Sequence, residues 1–109
     1  MELMNDKIQA YKNEITQLGE TLPDVAASYH QFTGQCFEEG ALDSKTKQLV
    51  ALGISLFTNN EVCTFYHTQE ARSKGATDSE IMETVAVAGA VGAGHALSQG
   101  VTRVQKSLQ

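Results

Sequence analysis

Cys63 and His67 stand four residues apart in the segment Glu61-Val-Cys63-Thr-Phe-Tyr66-His67-Thr-Gln-Glu70. On a helix this spacing projects both side chains from one face, close enough for the imidazole to accept or return the thiol's proton. Glu70 follows one turn further on, and Glu61 opens the segment. Asn60 suits the N-cap position just ahead, which puts Cys63 at the third helical residue. There the unpaired backbone N–H groups and the positive end of the helix dipole stabilise a thiolate. The chemistry expected of such a sulfur is nucleophilic attack and reversible oxidation. A plainer alternative stands beside it, with Cys63 a small buried apolar residue and His67 a hydrogen-bonded surface group. A C-x3-H pair is a short pattern, so spacing by itself leaves the two readings balanced.

Helical periodicity supplies the elements that must position this pair. Ile8, Tyr11, Ile15 and Leu18 mark one face of a first helix, with Gly19 as its stop signal. Pro23 suits the first turn of a second, in which Val25, Tyr29, Phe32, Cys36 and Phe37 share a face until Gly40. Asp43 or Ser44 caps a third helix whose Leu49, Leu52, Ile54, Leu56 and Phe57 predict a central position. The helix of Cys63 closes at Gly75, and Thr77-Asp-Ser-Glu80 forms a capping box that opens a fifth helix through Val91. After Gly92 and Gly94 a last helix is expected from about Ala96 to Leu108, with Leu97, Val101, Val104 and Leu108 on one stripe. No alternating strand pattern occurs, so the fold class expected is an all-α bundle of five to six helices joined by short loops. The run AVAGAVGAGHA has little side-chain volume and invites close approach by another helix, from this chain or a neighbour.

Length and composition bound the function. The 109 residues are one domain's worth, read here as a single domain over 1–109, with 41% hydrophobic and 19% charged residues and a thin core. The net charge of −5 argues against nucleic-acid partners, which need a Lys/Arg surplus, and against anionic membranes. The longest low-charge run, Thr84 to Gln99, is read as too short and too rich in glycine for a membrane span. The acidic, amphipathic N-terminus is unlike a secretory signal, and a reducing cytoplasm is the expected location. Two cysteines far apart form neither a disulfide framework nor a clustered zinc site.

The stretch from Gly40 to Gly94 resembles the carboxymuconolactone decarboxylase-like family, which includes alkylhydroperoxidase D. The residues that carry the resemblance are Ala41-Leu42-Asp43 with Lys45 and Lys47, the C-x3-H, and Gly75-Ala76-Thr77 with Glu80-Ile81. The resemblance implies an all-helical fold, with the motif region at about 40–97, that assembles as a homo-oligomer: a dimer, trimer or hexamer. In the family's peroxidase branch a C-x2-C-x3-H motif holds the redox pair, and Cys63 and His67 match the attacking cysteine and its histidine. The resolving position is Asn60, which forms no disulfide. The glutamate relay twelve residues before it is replaced by Gln48, which orients a group but transfers no proton at neutral pH.

Three functions are compatible with these residues. The first is a one-cysteine, thiol-dependent peroxide reductase, with His67 as base, Glu70 or Glu61 adjusting it, and an external thiol as reductant. The second is a lactone or carboxylate reaction like that of the family's namesake, with His67 and a carboxylate as acid and base. Against it, only Arg72 and Lys74 are close in sequence to the motif as holders of a di-acid. The third is a non-catalytic helical oligomer on the same scaffold. Tyr66 is a candidate hydrogen-bond donor to substrate or a packing residue. His95 is a candidate second imidazole at the Cys63 pocket, or a cap or interface residue. Cys36 is expected in the core and His30 at a partly exposed structural position. No cofactor or metal is expected, although Cys63, His67 and His95 together could supply three zinc ligands.

Overall fold

The computed structural model describes residues 2–109 and contains five α-helices: α1 (Glu2–Thr21), α2 (Pro23–Phe37), α3 (Ser44–Phe57), α4 (Glu61–Ser73) and α5 (Asp78–Gln99). A π-helical turn, Gly100–Gln105, continues α5 without a break. Among the described residues there is no strand. The caps fall where local chemistry puts them. Asp43 accepts from the Thr46 amide at 2.7 Å to start α3, and Asn60 accepts from the Cys63 amide at 2.9 Å to start α4. Thr77 and Glu80 form the reciprocal capping box that opens α5. Gly75, at φ +94°, makes the left-handed turn after α4 that a Cβ would oppose.

Three boundaries differ from the sequence reading. α1 runs through Gly19 to Thr21, and α2 ends at Phe37, ahead of Gly40. The expected separate last helix does not exist, because Gly92 and Gly94 stay helical and α5 carries on into the C-terminal turn. A helical glycine costs about 1 kcal/mol relative to alanine, and without a proline that is too little to stop a long helix. As a result Asp78–Gln105 is, by length and composition, long and apolar enough to cross a membrane. The reading of Thr84–Gln99 as too short a span is therefore corrected on length. Interface and core helices of glycine and alanine meet the same test.

α3 is central, packing chiefly on α4 and α5, while α1 packs on α2 and α4. Its Leu52 is 1% exposed and faces the inside with Ala71 of α4 and Ile81 of α5. Other α3 residues expected in the core are not there. Ile54 and Phe57 are exposed, and with Val50 they line an apolar groove of about 700 Å³ against Val87 and Val91 of α5. Among the described residues little covers the glycine-rich stretch of α5. A Cβ at Gly89, Gly94 or Gly100 would meet nothing within 4 Å, and one at Gly92 only Phe57 at 3.9 Å. The radius of gyration is 17.6 Å, with extents of 57 × 35 × 33 Å. A compact chain of this length would have about 13 Å.

Candidate functional site

On the face away from that groove, α1, α2, α3 and α4 enclose a cavity of about 580 Å³ in which Cys63 and His67 both line the wall. Asn60 starts α4 by capping the Cys63 amide, and it accepts again, through its backbone carbonyl, from the Thr64 amide and hydroxyl. This fixes the first turn of α4 and hence the direction of the thiol. Asn60 thus acts on Cys63 through the backbone. Its side chain is committed to the cap.

His67 is oriented from α3. Its Nδ1 lies 2.7 Å from Oε1 of Gln48, a buried residue. With the amide oxygen facing the ring, Nδ1 carries the proton and donates, so the assigned tautomer leaves Nε2 as the free acceptor. Phe37 stacks on the imidazole at 5.7 Å between centroids, and Tyr66 meets it edge-on at 5.1 Å. Burial lowers the His67 pKa below 6.5, against an opposing pull from the Glu70 carboxylate. The neutral ring with a free Nε2 is the form a general base requires.

The remaining candidates separate clearly. Tyr66 lines the cavity, and burial followed by the Glu70 charge raises its phenol above 10.0, which keeps it protonated. Glu70 acts by its charge and accepts from Ser73. Glu61 does not serve the histidine. It pairs with Lys7 of α1 and so ties α1 to α4. His95 is not a second imidazole at this site, because α5 carries it to the opposite side, where its ring meets Phe57 edge-on at 5.8 Å. The three-ligand set of Cys63, His67 and His95 therefore does not assemble, and among the described residues no group of three His, Cys, Asp or Glu could hold a metal ion. Cys36 is exposed, contrary to its expected place in the core, and Phe32 on the same face of α2 is exposed with it.

Sequence reasoning missed the far wall. Tyr11, Lys12 and Thr16 of α1 and Tyr29, His30 and Thr33 of α2 complete the cavity. Burial, then the charges of Tyr29, Cys63 and Glu14, raises the Tyr11 phenol above 10.0. The available signal was a tyrosine on the apolar stripe of each helix, since a buried phenol needs a polar partner. Residues 23–106 match the model of the carboxymuconolactone decarboxylase family. The chain belongs to that family. α1, with its share of the cavity wall, lies outside the matched span.

Known relatives agree on the fold. A carboxymuconolactone decarboxylase family protein from Legionella pneumophila superposes with a TM-score of 0.81 at 22% identity, covering 93% of this chain and 90% of its own. A protein from Methanobacterium thermoautotrophicum superposes at 0.73 with 32% identity, over 79% of this chain and 94% of its own. Among curated proteins, uncharacterized protein 4 of the cox locus of Paracoccus denitrificans is 34% identical over 90 residues, 83% of this chain and 78% of that protein. An uncharacterized protein of Haemophilus influenzae is 32% identical over 60 residues, 55% of this chain and about half, 53%, of its own length.

Proposed function

We propose that this family member is a thiol-dependent peroxide reductase that uses one cysteine. The observation that carries the reading is the His67–Gln48 contact, which holds a neutral imidazole with Nε2 as its free acceptor in the wall of the cavity that Cys63 also lines. His67 Nε2 takes the thiol proton. The Cys63 thiolate attacks one peroxide oxygen, the O–O bond breaks, and the departing alkoxide takes the proton from His67. Cys63 is left as a sulfenic acid and the peroxide as an alcohol. One external thiol then condenses with the sulfenic acid and releases water, and a second displaces the mixed disulfide to restore the Cys63 thiol. The sum is a hydroperoxide and two thiols giving an alcohol, water and a disulfide. No second cysteine of the chain is required, which suits Asn60 at the position nearest the thiol along the helix and Cys36 on an exposed face. Peroxide consumption with dithiothreitol as reductant tests this. The wild type should turn over and Cys63→Ser should not.

A lactone or carboxylate reaction is the second reading, and Lys12 favours it, since a cation lines the cavity from α1 where the segment around the motif offered only Arg72 and Lys74, neither of which lines it. Turnover of a carboxymuconolactone that survives Cys63→Ser and disappears in His67→Ala would select it. Neither activity, in an intact assembly, would leave a non-catalytic scaffold.

The protein is further proposed to assemble with copies of itself through the α3–α5 groove and the bare face of α5. The extended single chain and the exposed Ile54, Phe57, Val87 and Val91 support this reading. Light scattering on the purified protein measures it directly.

A further inference from the structure

The cavity is far larger than hydrogen peroxide needs. At about 580 Å³ it falls within the range of small-molecule sites, about 300–1,000 Å³, whereas a water occupies about 30 Å³ of liquid. Its wall is largely aromatic and aliphatic, with Tyr11, Tyr29, Phe37 and Tyr66 around the thiol. One residue of the wall carries a fixed positive charge. On α1 the cavity lining runs Ile8, Tyr11, Lys12, Ile15, Thr16, so an exposed lysine stands beside the apolar stripe of Ile8, Tyr11 and Ile15, at the rim of the cavity.

Lys12 differs from the lysines near it. Lys7, just over one turn earlier, pairs with Glu61, and Lys45 pairs with Glu80 at 2.8 Å. Lys12 has no carboxylate within ion-pair distance among the described residues, and its Nζ sits over the Tyr66 ring at 5.8 Å from the centroid. The other charges facing this region are Glu14, which acts on Tyr11, and Glu70, which acts on Tyr66 and His67. The chain carries a net charge of −5. An anion would enter such a site only toward a local cation. The helix that bears Lys12 is fixed in place, since Ile8 is buried, Lys7 is tied to Glu61 and Gln69 donates to Asn5.

We propose that α1 is the substrate-selecting wall of this site, and that Lys12 holds the carboxylate of an organic molecule whose ring-sized apolar body lies against Tyr11, Tyr29 and Tyr66. This rests on the peroxide reading only for the group that meets Cys63, which on that reading is a hydroperoxide at the far end of the same molecule. Lys12 is a specificity-determining residue, and α1 supplies it from beyond the span that defines the family.

The test uses the wild-type protein and an unreactive matched pair, 4-isopropylbenzoate and 4-isopropylbenzyl alcohol, titrated by calorimetry. The acid should bind at least about tenfold tighter than the alcohol, as a charge-assisted hydrogen bond implies. Lys12→Gln should bring the two within about twofold of each other, and Lys12→Arg should keep the preference, which separates loss of the cation from loss of the fold. No preference in the wild type, or a preference that survives Lys12→Gln, overturns the proposal. A second arm follows Cys63 oxidation by cumene hydroperoxide and by its 4-carboxy analogue. Faster oxidation by the carboxy compound, lost in Lys12→Gln, supports both the site and the redox reading. Lys12-dependent binding of the acid with no oxidation of Cys63 by either peroxide supports the site and overturns the redox reading alone.

Discussion

The two concave faces of this chain are both largely apolar, yet they carry different chemical groups. The α1–α4 cavity contains a thiol, two imidazoles, three phenols and a lysine, and its buried amide Gln48 is spent on orienting the His67 imidazole. The α3–α5 groove is larger, at about 700 Å³, and its polar members are two carboxylates and two hydroxyls: Glu80 is engaged with Lys45 and the Thr77 amide and Thr84 with the Glu80 carbonyl, while Glu83 and Thr46 stand at its edge. Concavity and apolar area therefore do not by themselves tell the proposed reaction site from the proposed assembly surface. What distinguishes them is the kind of polar group in the wall, a thiol and an oriented imidazole in the cavity against carboxylates and hydroxyls in the groove.

The sharpest way to break that contrast is to remove the thiol. Cys63→Ser should lower peroxide reduction by roughly a thousandfold or more, as loss of a nucleophile does, in a coupled assay with excess external thiol. His67→Ala should cost about 10²- to 10⁴-fold in the same assay, the range for a general base. Gln48→Leu leaves the His67 Nδ1 proton without its acceptor, at a cost of about 1–3 kcal/mol, and should slow the reaction by about tenfold or somewhat more. On the other face, Ile54→Lys should shift the mass measured by light scattering toward the single chain, because an unpaired lysine buried in the contact is unfavourable. The smallest effect concerns pH. Burial holds the His67 pKa below 6.5, so the unfolded chain takes up the proton first as pH falls. Stability should thus decline from pH 6.5 downward through the folded value, and His67→Gln should flatten this part of the urea-midpoint profile.

Local chemistry was readable from the chain, and long-range placement was not. Asn60, Asp43 and Thr77 cap the helices that their types and spacings announced, because capping is settled within four residues. The Cys63–His67 register followed from the same local rule. Gly92 and Gly94 misled because glycine is a weak helix breaker, and merging the last two helices carried His95 away from the site. Cys36 sits on a stripe that periodicity marks as apolar, but periodicity cannot say whether anything packs on it. Lys12 and the tyrosines of α1 and α2 were invisible as site residues because they meet Cys63 across some fifty and thirty intervening positions, through packing alone. Only the family resemblance marks Gln48, and the structure shows what it does: it accepts a hydrogen bond from His67 at the position where the family's peroxidase branch has a proton relay.

The two cysteines provide the most direct test of the central claim. Cys36 is exposed and Cys63 is half-buried, so accessibility alone predicts that Cys36 oxidises first. Brief peroxide treatment with a sulfenic-acid trap, read by mass spectrometry at each cysteine, decides between access and activation. The account predicts that Cys63 is trapped much faster than Cys36 and that His67→Ala removes the difference. Labelling of Cys63 no faster than that of Cys36 would contradict it.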